Sequence, residues 1–141
     1  KKTETEIKYK NKKNEFGIKS SYQMNSSKRV MTSNTNLLGK QLIYTPEHCL
    51  NIGLNYTFNN RLYLNYRHNF FSRRFITNAN TEWLNPYNLG WAQIGYNLSI
   101  KNIEIRLFVS SDNIWNVEYQ AVANKAMPGR SFNFGLQISS R

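Results

Sequence analysis

His48, His68 and Cys49 are the side chains of this 141-residue sequence best suited to ligate a transition metal. Neither histidine has an acidic residue at ligand spacing apart from Glu47, so a site built on them would lack the donors that zinc requires. His48 reads instead as a turn or interface residue at a strand entry. A single cysteine permits no internal disulfide and no cysteine-based metal site. Asp112 follows Ser110 and Ser111, but no local histidine is present to serve as a base, and the pattern reads as a strand end. Glu82 and Glu118 lack partner carboxylates for glycosidase chemistry, and no glycine-rich phosphate loop occurs. Glu104 and Arg106 are spaced to form an ion pair on one strand face. The expectation is a protein that is not an enzyme and holds no metal or cofactor. Arg73, Arg74, Trp83 and Tyr87 are of another kind. Guanidinium and aromatic groups on a polar loop can hold a ligand by stacking and charge-assisted hydrogen bonds, or they can pack loops together.

The elements that position these groups have a period of two. Leu50, Ile52, Leu54, Tyr56 and Phe58 alternate with Asn51, Gly53, Asn55 and Thr57, the pattern of a strand with two unlike faces. Asn59-Asn60 follows, a dipeptide that accepts positive φ in a tight turn. Leu62, Leu64 and Tyr66 then alternate with Arg61, Tyr63, Asn65 and Arg67. The scheme recurs over 92–100, over 103–110 after a Lys101-Asn102 turn, and over 132–139. Two less regular strands are expected at Thr5–Tyr9 and Phe16–Met24, joined by a turn at Asn11–Asn14. Helical spacing of apolar residues is absent, and no apolar run approaches the roughly 20 residues of a membrane-spanning helix.

The aromatic share of 14% argues against disorder. The net charge of +11 brings polyanions to mind, but the basic residues are scattered. The densest group (Lys1, Lys2, Lys8, Lys10, Lys12, Lys13) is interleaved with Glu4 and Glu6 and suits a solvated strand pair better than a nucleic-acid arm.

Connection lengths alternate: short turns at 11–14, 59–60 and 101–102, long polar segments at 26–47, 76–88 and roughly 114–130. Short turns at one end and long loops at the other match an outer-membrane barrel, and strands of about 9–11 residues can cross a bilayer when tilted. Arg61, Arg67, Glu104 and Arg106 then face a wet lumen. Tyr56, Phe58, Tyr63, Tyr66, Trp91 and Tyr96 are expected as interfacial aromatics. An antiparallel sheet on a soluble core fits the alternation equally but leaves the loop asymmetry unexplained.

Ser111-Asp112-Asn113-Ile114-Trp115-Asn116, followed by Tyr119, resembles the end of the penultimate strand in TonB-dependent outer-membrane receptors of the kind common in Bacteroidetes-like bacteria. Met127-Pro128-Gly129-Arg130-Ser131-Phe132 resembles that family's turn into its last strand. Tyr44-Thr45-Pro46-Glu47-His48 is similar to an earlier strand entry, and Arg73-Arg74-Phe75 with Leu84-Asn85-Pro86-Tyr87 to the loop before the next strand. These marks run in the family's order from about Leu42 to Ser139. Departing from the family's usual terminal aromatic, the sequence ends Ser139-Ser140-Arg141.

The resemblance implies an all-β, antiparallel, up-and-down transmembrane barrel of about 22 strands around a plug. Residues 1–141 would supply about the last seven strands, with the plug domain outside them. Asn113, Trp115, Asn116, Tyr119, Pro128, Gly129, Arg130 and Phe132 would be structural motif residues, Arg130 by bonding loop carbonyls. Arg73, Arg74, Trp83 and Tyr87 would be ligand contacts or would touch lipopolysaccharide phosphates. The implied partners are the rest of the barrel and its plug, the TonB complex through parts outside this chain, outer-membrane lipid and lipopolysaccharide, and a surface lipoprotein or extracellular ligand. Nucleic acid is not among them. The implied activity is uptake of a scarce nutrient of the siderophore, corrinoid, peptide or glycan class. A porin or adhesin barrel, and a soluble basic β protein that binds polyanions, are the alternatives.

Overall fold

The computed structural model describes residues 1–31 and 33–140. It is an all-β chain built on one antiparallel meander. The strands are β1 (Lys2–Lys10), β2 (Glu15–Met24), β3 (His48–Phe58), β4 (Leu62–Phe71), β5 (Arg74–Phe75), β6 (Trp83–Leu84), β7 (Tyr87–Ile100), β8 (Ile103–Asp112) and β9 (Ser131–Ser140). Seven of them form one sheet in the order β1-β2-β3-β4-β7-β8-β9, while β5 and β6 make a small hairpin inside the β4–β7 connection. No helix among the described residues is long and apolar enough to cross a membrane.

Turn chemistry explains the short end. Asn11 Oδ1 accepts from the backbone N–H groups of Lys13 at 2.9 Å and Asn14 at 2.7 Å, a side chain standing in for a turn carbonyl. Asn59 and Asn60 both take positive φ, 53° and 54°, which asparagine tolerates better than most residues. Several expected boundaries shift, β1 beginning at Lys2 rather than Thr5. β4 continues to Phe71, and β7 begins at Tyr87, so Tyr87 is a strand residue rather than part of the loop.

The register keeps like with like. Ile18 stands opposite Leu54, Leu54 opposite Tyr66, and Tyr66 opposite Ala92. Ile94 stands opposite Val109, and Val109 opposite Phe134. One face is therefore apolar across the whole sheet. The other carries Lys19, Asn55, Asn65, Arg67, Gln93, Arg106 and Asn133. No described residue covers the apolar face: Ile94, Leu107 and Phe134 are 50%, 45% and 80% exposed. Cys49 and Leu84 are the only buried hydrophobic residues among those described. The accessible surface is 10144 Å², whereas a folded soluble monomer of 16.6 kDa exposes about 7,600 Å².

The register also corrects two expected interfacial aromatics. Tyr63 lies opposite Gly95, and Trp91 opposite Arg67 and Asp112, so both sit on the polar face. Their residue type suggested a girdle, but their parity assigns the opposite side. Glu104 and Arg106 share that face as expected.

Candidate functional site

The long connections gather at one end of the sheet and fasten to one another. Arg29 donates to Asn78 Oδ1 at 2.8 Å, and the Gln41 N–H to Asn80 Oδ1 at 2.8 Å. Asn80 Nδ2 donates back to the Gln41 carbonyl at 2.9 Å, and the Tyr44 N–H bonds the Phe75 carbonyl at 2.8 Å. The segment before β3 is thereby tied to the β5–β6 hairpin.

This hairpin splits the four expected ligand residues into two pairs, because neighbouring residues on a strand point to opposite sides. Arg73 is exposed, with its guanidinium 5.5 Å from the Phe75 ring and 5.7 Å from the Trp83 ring. Trp83 is itself 50% exposed. Arg74 is only 4% exposed. Its guanidinium lies 4.6 Å over Tyr87 and donates to the Asn85 carbonyl at 3.0 Å. The Tyr87 ring in turn makes tilted contacts with Tyr119 at 4.6 Å and Phe71 at 5.1 Å. Arg74 and Tyr87 thus join a packed column at the base of the loops, while Arg73 and Trp83 present an open cation–aromatic pair.

The motif between β8 and β9 has a physical basis. Asn113 and Asn116 adopt positive φ, 47° and 51°. Asn113, 7% exposed, donates through Nδ2 to the carbonyls of Val117 at 2.9 Å and Pro128 at 3.3 Å. Its Oδ1 accepts from the Val117 N–H at 3.0 Å. Asn116 Oδ1 accepts from the Arg130 N–H at 3.0 Å. One buried amide and one rim amide therefore close a loop that could not otherwise satisfy its backbone. The Arg130 guanidinium lies 5.9 Å over Phe132; among the described residues it does not bond the loop carbonyls expected of it. Gly90 leaves room for Ile114 and Trp115: a Cβ there would come within 2.8 Å of Ile114 Cγ1 and within 2.5 Å of Trp115 Nε1.

Between the hairpin and this loop lies a cleft of about 750 Å³, lined in part by Trp83, Tyr87, Asn116, Glu118, Tyr119 and Met127. Its aromatic faces can stack on a ligand, and its amides and carboxylate can hydrogen-bond one. Met127 and the cleft-lining role of Glu118 went unrecognised in the sequence because nothing local joins them to residue 83. No cluster of three or more His, Cys, Asp or Glu side chains placed to hold a metal ion occurs among the described residues.

Both histidines lie on the apolar face at its long-loop margin, bonded to neighbours. Tyr22 Oη and His48 Nδ1 are 2.7 Å apart. His68 meets Tyr66 Oη at 3.0 Å through Nδ1 and Asn88 Oδ1 at 3.2 Å through Nε2. At the opposite margin Tyr9 faces Phe16 and Phe16 faces Tyr56, with Phe58 and Tyr96 one row further along. Aromatic side chains therefore gather toward both ends of this face on β2, β3 and β4, whereas β8 carries none on it. Equal parity along paired strands was the signal for these contacts, available only once the register is known.

Together these features define an all-β chain with an open antiparallel sheet, one bare apolar face and a loop-built cleft at one end. No protein-family model matches the chain, and no curated protein matches it.

Proposed function

We propose that the chain is the C-terminal part of an outer-membrane β-barrel, that of a TonB-dependent active transporter, with its apolar face toward lipid and its polar face toward the lumen. The observation that carries the reading is the unsheltered apolar face, continuous across seven strands. Exposed apolar patches of this extent do not persist on monomers in water. The dimensions agree. Ala92 to Ile100 runs about 27 Å along β7, or about 21 Å along the membrane normal at a 40° tilt, before side chains are added, against an apolar band of about 25 Å.

The long-loop end would then face outward, and the cleft beside Trp83 and Tyr119, with Arg73 at its hairpin, would take part in capturing a scarce nutrient. The order of the strand-end motifs favours a TonB-dependent transporter over a porin or adhesin. Transport would also need a plug and the TonB complex, which engages through parts outside these residues.

Membrane fractionation and uptake assays of the full polypeptide test this reading. It should sediment with outer membranes and need detergent for extraction. Deleting the gene or deleting TonB should abolish uptake of the same nutrient equally. Uptake indifferent to TonB, with outer-membrane fractionation intact, would leave a porin or adhesin. A detergent-free soluble monomer would overturn the barrel itself.

A further inference from the structure

We propose that the outer face of β4, β7, β8 and β9 seats one anionic glycerophospholipid, an acyl chain in an apolar groove and the phosphate against Arg61. The inference rests on the barrel reading above and adds a specific lipid site to it.

Two hollows carry the argument. An apolar groove of about 560 Å³ is lined by Leu62, Ile94, Tyr96, Leu107, Phe134 and Leu136, among others. A second hollow of about 400 Å³ lies at the short-turn rim, lined by Phe58, Asn59, Arg61, Leu62 and Tyr96. Leu62 and Tyr96 belong to both, so the apolar groove adjoins a hollow that Arg61 and Asn59 also line. That sequence of chemistries is the profile of an amphiphile with an anionic head.

Charge selects the head. The turns 11–14, 59–61 and 101–102 hold Lys12, Lys13, Arg61 and Lys101 and no acidic residue. The first two of these turns are tied together. The Asn60 N–H donates to the Lys13 carbonyl at 2.9 Å, and Asn60 Nδ2 to the Lys12 carbonyl at 3.3 Å. The Arg61 backbone is pinned on both sides, by its N–H to Phe58 at 3.0 Å and by its carbonyl to Asn97 at 2.9 Å. Arg61, expected to face the lumen, lines both the second hollow and a polar-face cleft that contains Glu104 and Arg106, which puts it at the rim where the two faces meet. A guanidinium at that height can bind phosphate in a fork. The surrounding lysines favour a net-negative headgroup over one that carries its own ammonium.

The test uses the full-length protein in nanodiscs of dioleoyl phosphatidylcholine with a minority of dioleoyl phosphatidylglycerol. Native mass spectrometry then reads which lipids stay bound on release. Wild type should retain phosphatidylglycerol in preference to phosphatidylcholine, a comparison that needs no variant. Arg61→Gln should retain about tenfold less phosphatidylglycerol, as loss of one charge-assisted bond predicts, while Arg61→Lys keeps part of the preference. Equal retention of the two lipids by wild type would overturn the site, as would unchanged retention by an Arg61→Gln barrel that still shows heat-modifiable gel mobility. Failure of the wild type to enter nanodiscs would instead sink the barrel reading on which the site depends.

Discussion

The two faces of the sheet share one backbone and one hydrogen-bond ladder, yet they are held in different ways. On the polar face, side chains bond across strands: Asn65 to Gln93 at 3.2 Å, Arg106 to Asn97 at 3.0 Å, Asn133 to Asp112 at 3.1 Å. The Arg67 guanidinium lies 4.1 Å over Trp91. On the apolar face the aliphatic rows are exposed, and side-chain hydrogen bonds are made at the long-loop margin by Tyr22 with His48 and by His68 with Tyr66 and Asn88. A face that carries its own polar network is stable against water, whereas a face of bare aliphatic rows needs a non-aqueous cover. The difference is what the proposed barrel requires of a lumenal and a lipid-facing side.

Neighbouring residues of β7 offer the strongest way to break that comparison. Ile94→Arg should destabilise the lipid-embedded protein by about 2–4 kcal/mol, the cost of arginine at the midplane of a barrel's outer face. Gln93→Arg, one residue away and on the wet face, should cost under about 1 kcal/mol, chiefly its bond to Asn65. Denaturant unfolding in lipid vesicles reads both values. Equal penalties would mean that the faces do not see different solvents.

The loops sharpen the comparison at a second scale. Arg74→Ala removes a buried guanidinium from Tyr87 and the Asn85 carbonyl, and should cost about 2–3 kcal/mol of stability. Arg73→Ala and Trp83→Ala, on the exposed side of the same hairpin, should stay within about 0.5 kcal/mol of wild type yet lower ligand affinity about tenfold. Thermal unfolding set beside uptake kinetics separates the two pairs. If Arg73→Ala leaves uptake unchanged, the open pair packs loops and holds no ligand.

Much of the strand pattern was legible because its cause is local. Alternation at 50–58 and the Asn59-Asn60 turn define β3, β4 and their hairpin without reference to distant residues. The first strand was harder to bound, since Thr3 and Thr5 occupy outward positions that aliphatic residues take elsewhere. Tyr63 and Trp91 were misread where residue type was weighed above parity. The hairpin β5–β6 and the Arg29–Asn78 contact, 49 residues apart in sequence, were not legible, because which loops meet is decided by strand order rather than by anything near either residue. The same holds for the Arg74–Tyr87–Tyr119 column: all its members were visible, but not that they meet.

Glycines mark where large side chains cross to the next strand, and they allow a smaller test of the polar face. Phe108 covers Gly135 so closely that a Cβ would collide with its ring, an arrangement in which an aromatic shields a strand glycine. Gly135→Ala should cost about 1–2 kcal/mol through overpacking. Because the three nearest atoms a Cβ would meet all belong to the Phe108 ring, Gly135→Ala in a Phe108→Ala background should cost less than it does alone. Denaturant midpoints of the two single variants and the double variant give the coupling. Strict additivity would refute the contact.

The smallest expected effect lies at the margin between the faces. Tyr22 stands opposite Leu50 on the apolar side, and its hydroxyl meets His48 Nδ1 at 2.7 Å. If the long-loop margin lies at the lipid–water interface, this bond is made in partly dry surroundings, where water replaces a lost partner incompletely. Tyr22→Phe should then cost about 0.5–1.5 kcal/mol in vesicles. In detergent micelles, which admit water at the same height, the penalty should shrink toward zero. An equal penalty in both media would mean that the margin is wet throughout and that the aromatic side chains at this end do not define a membrane boundary.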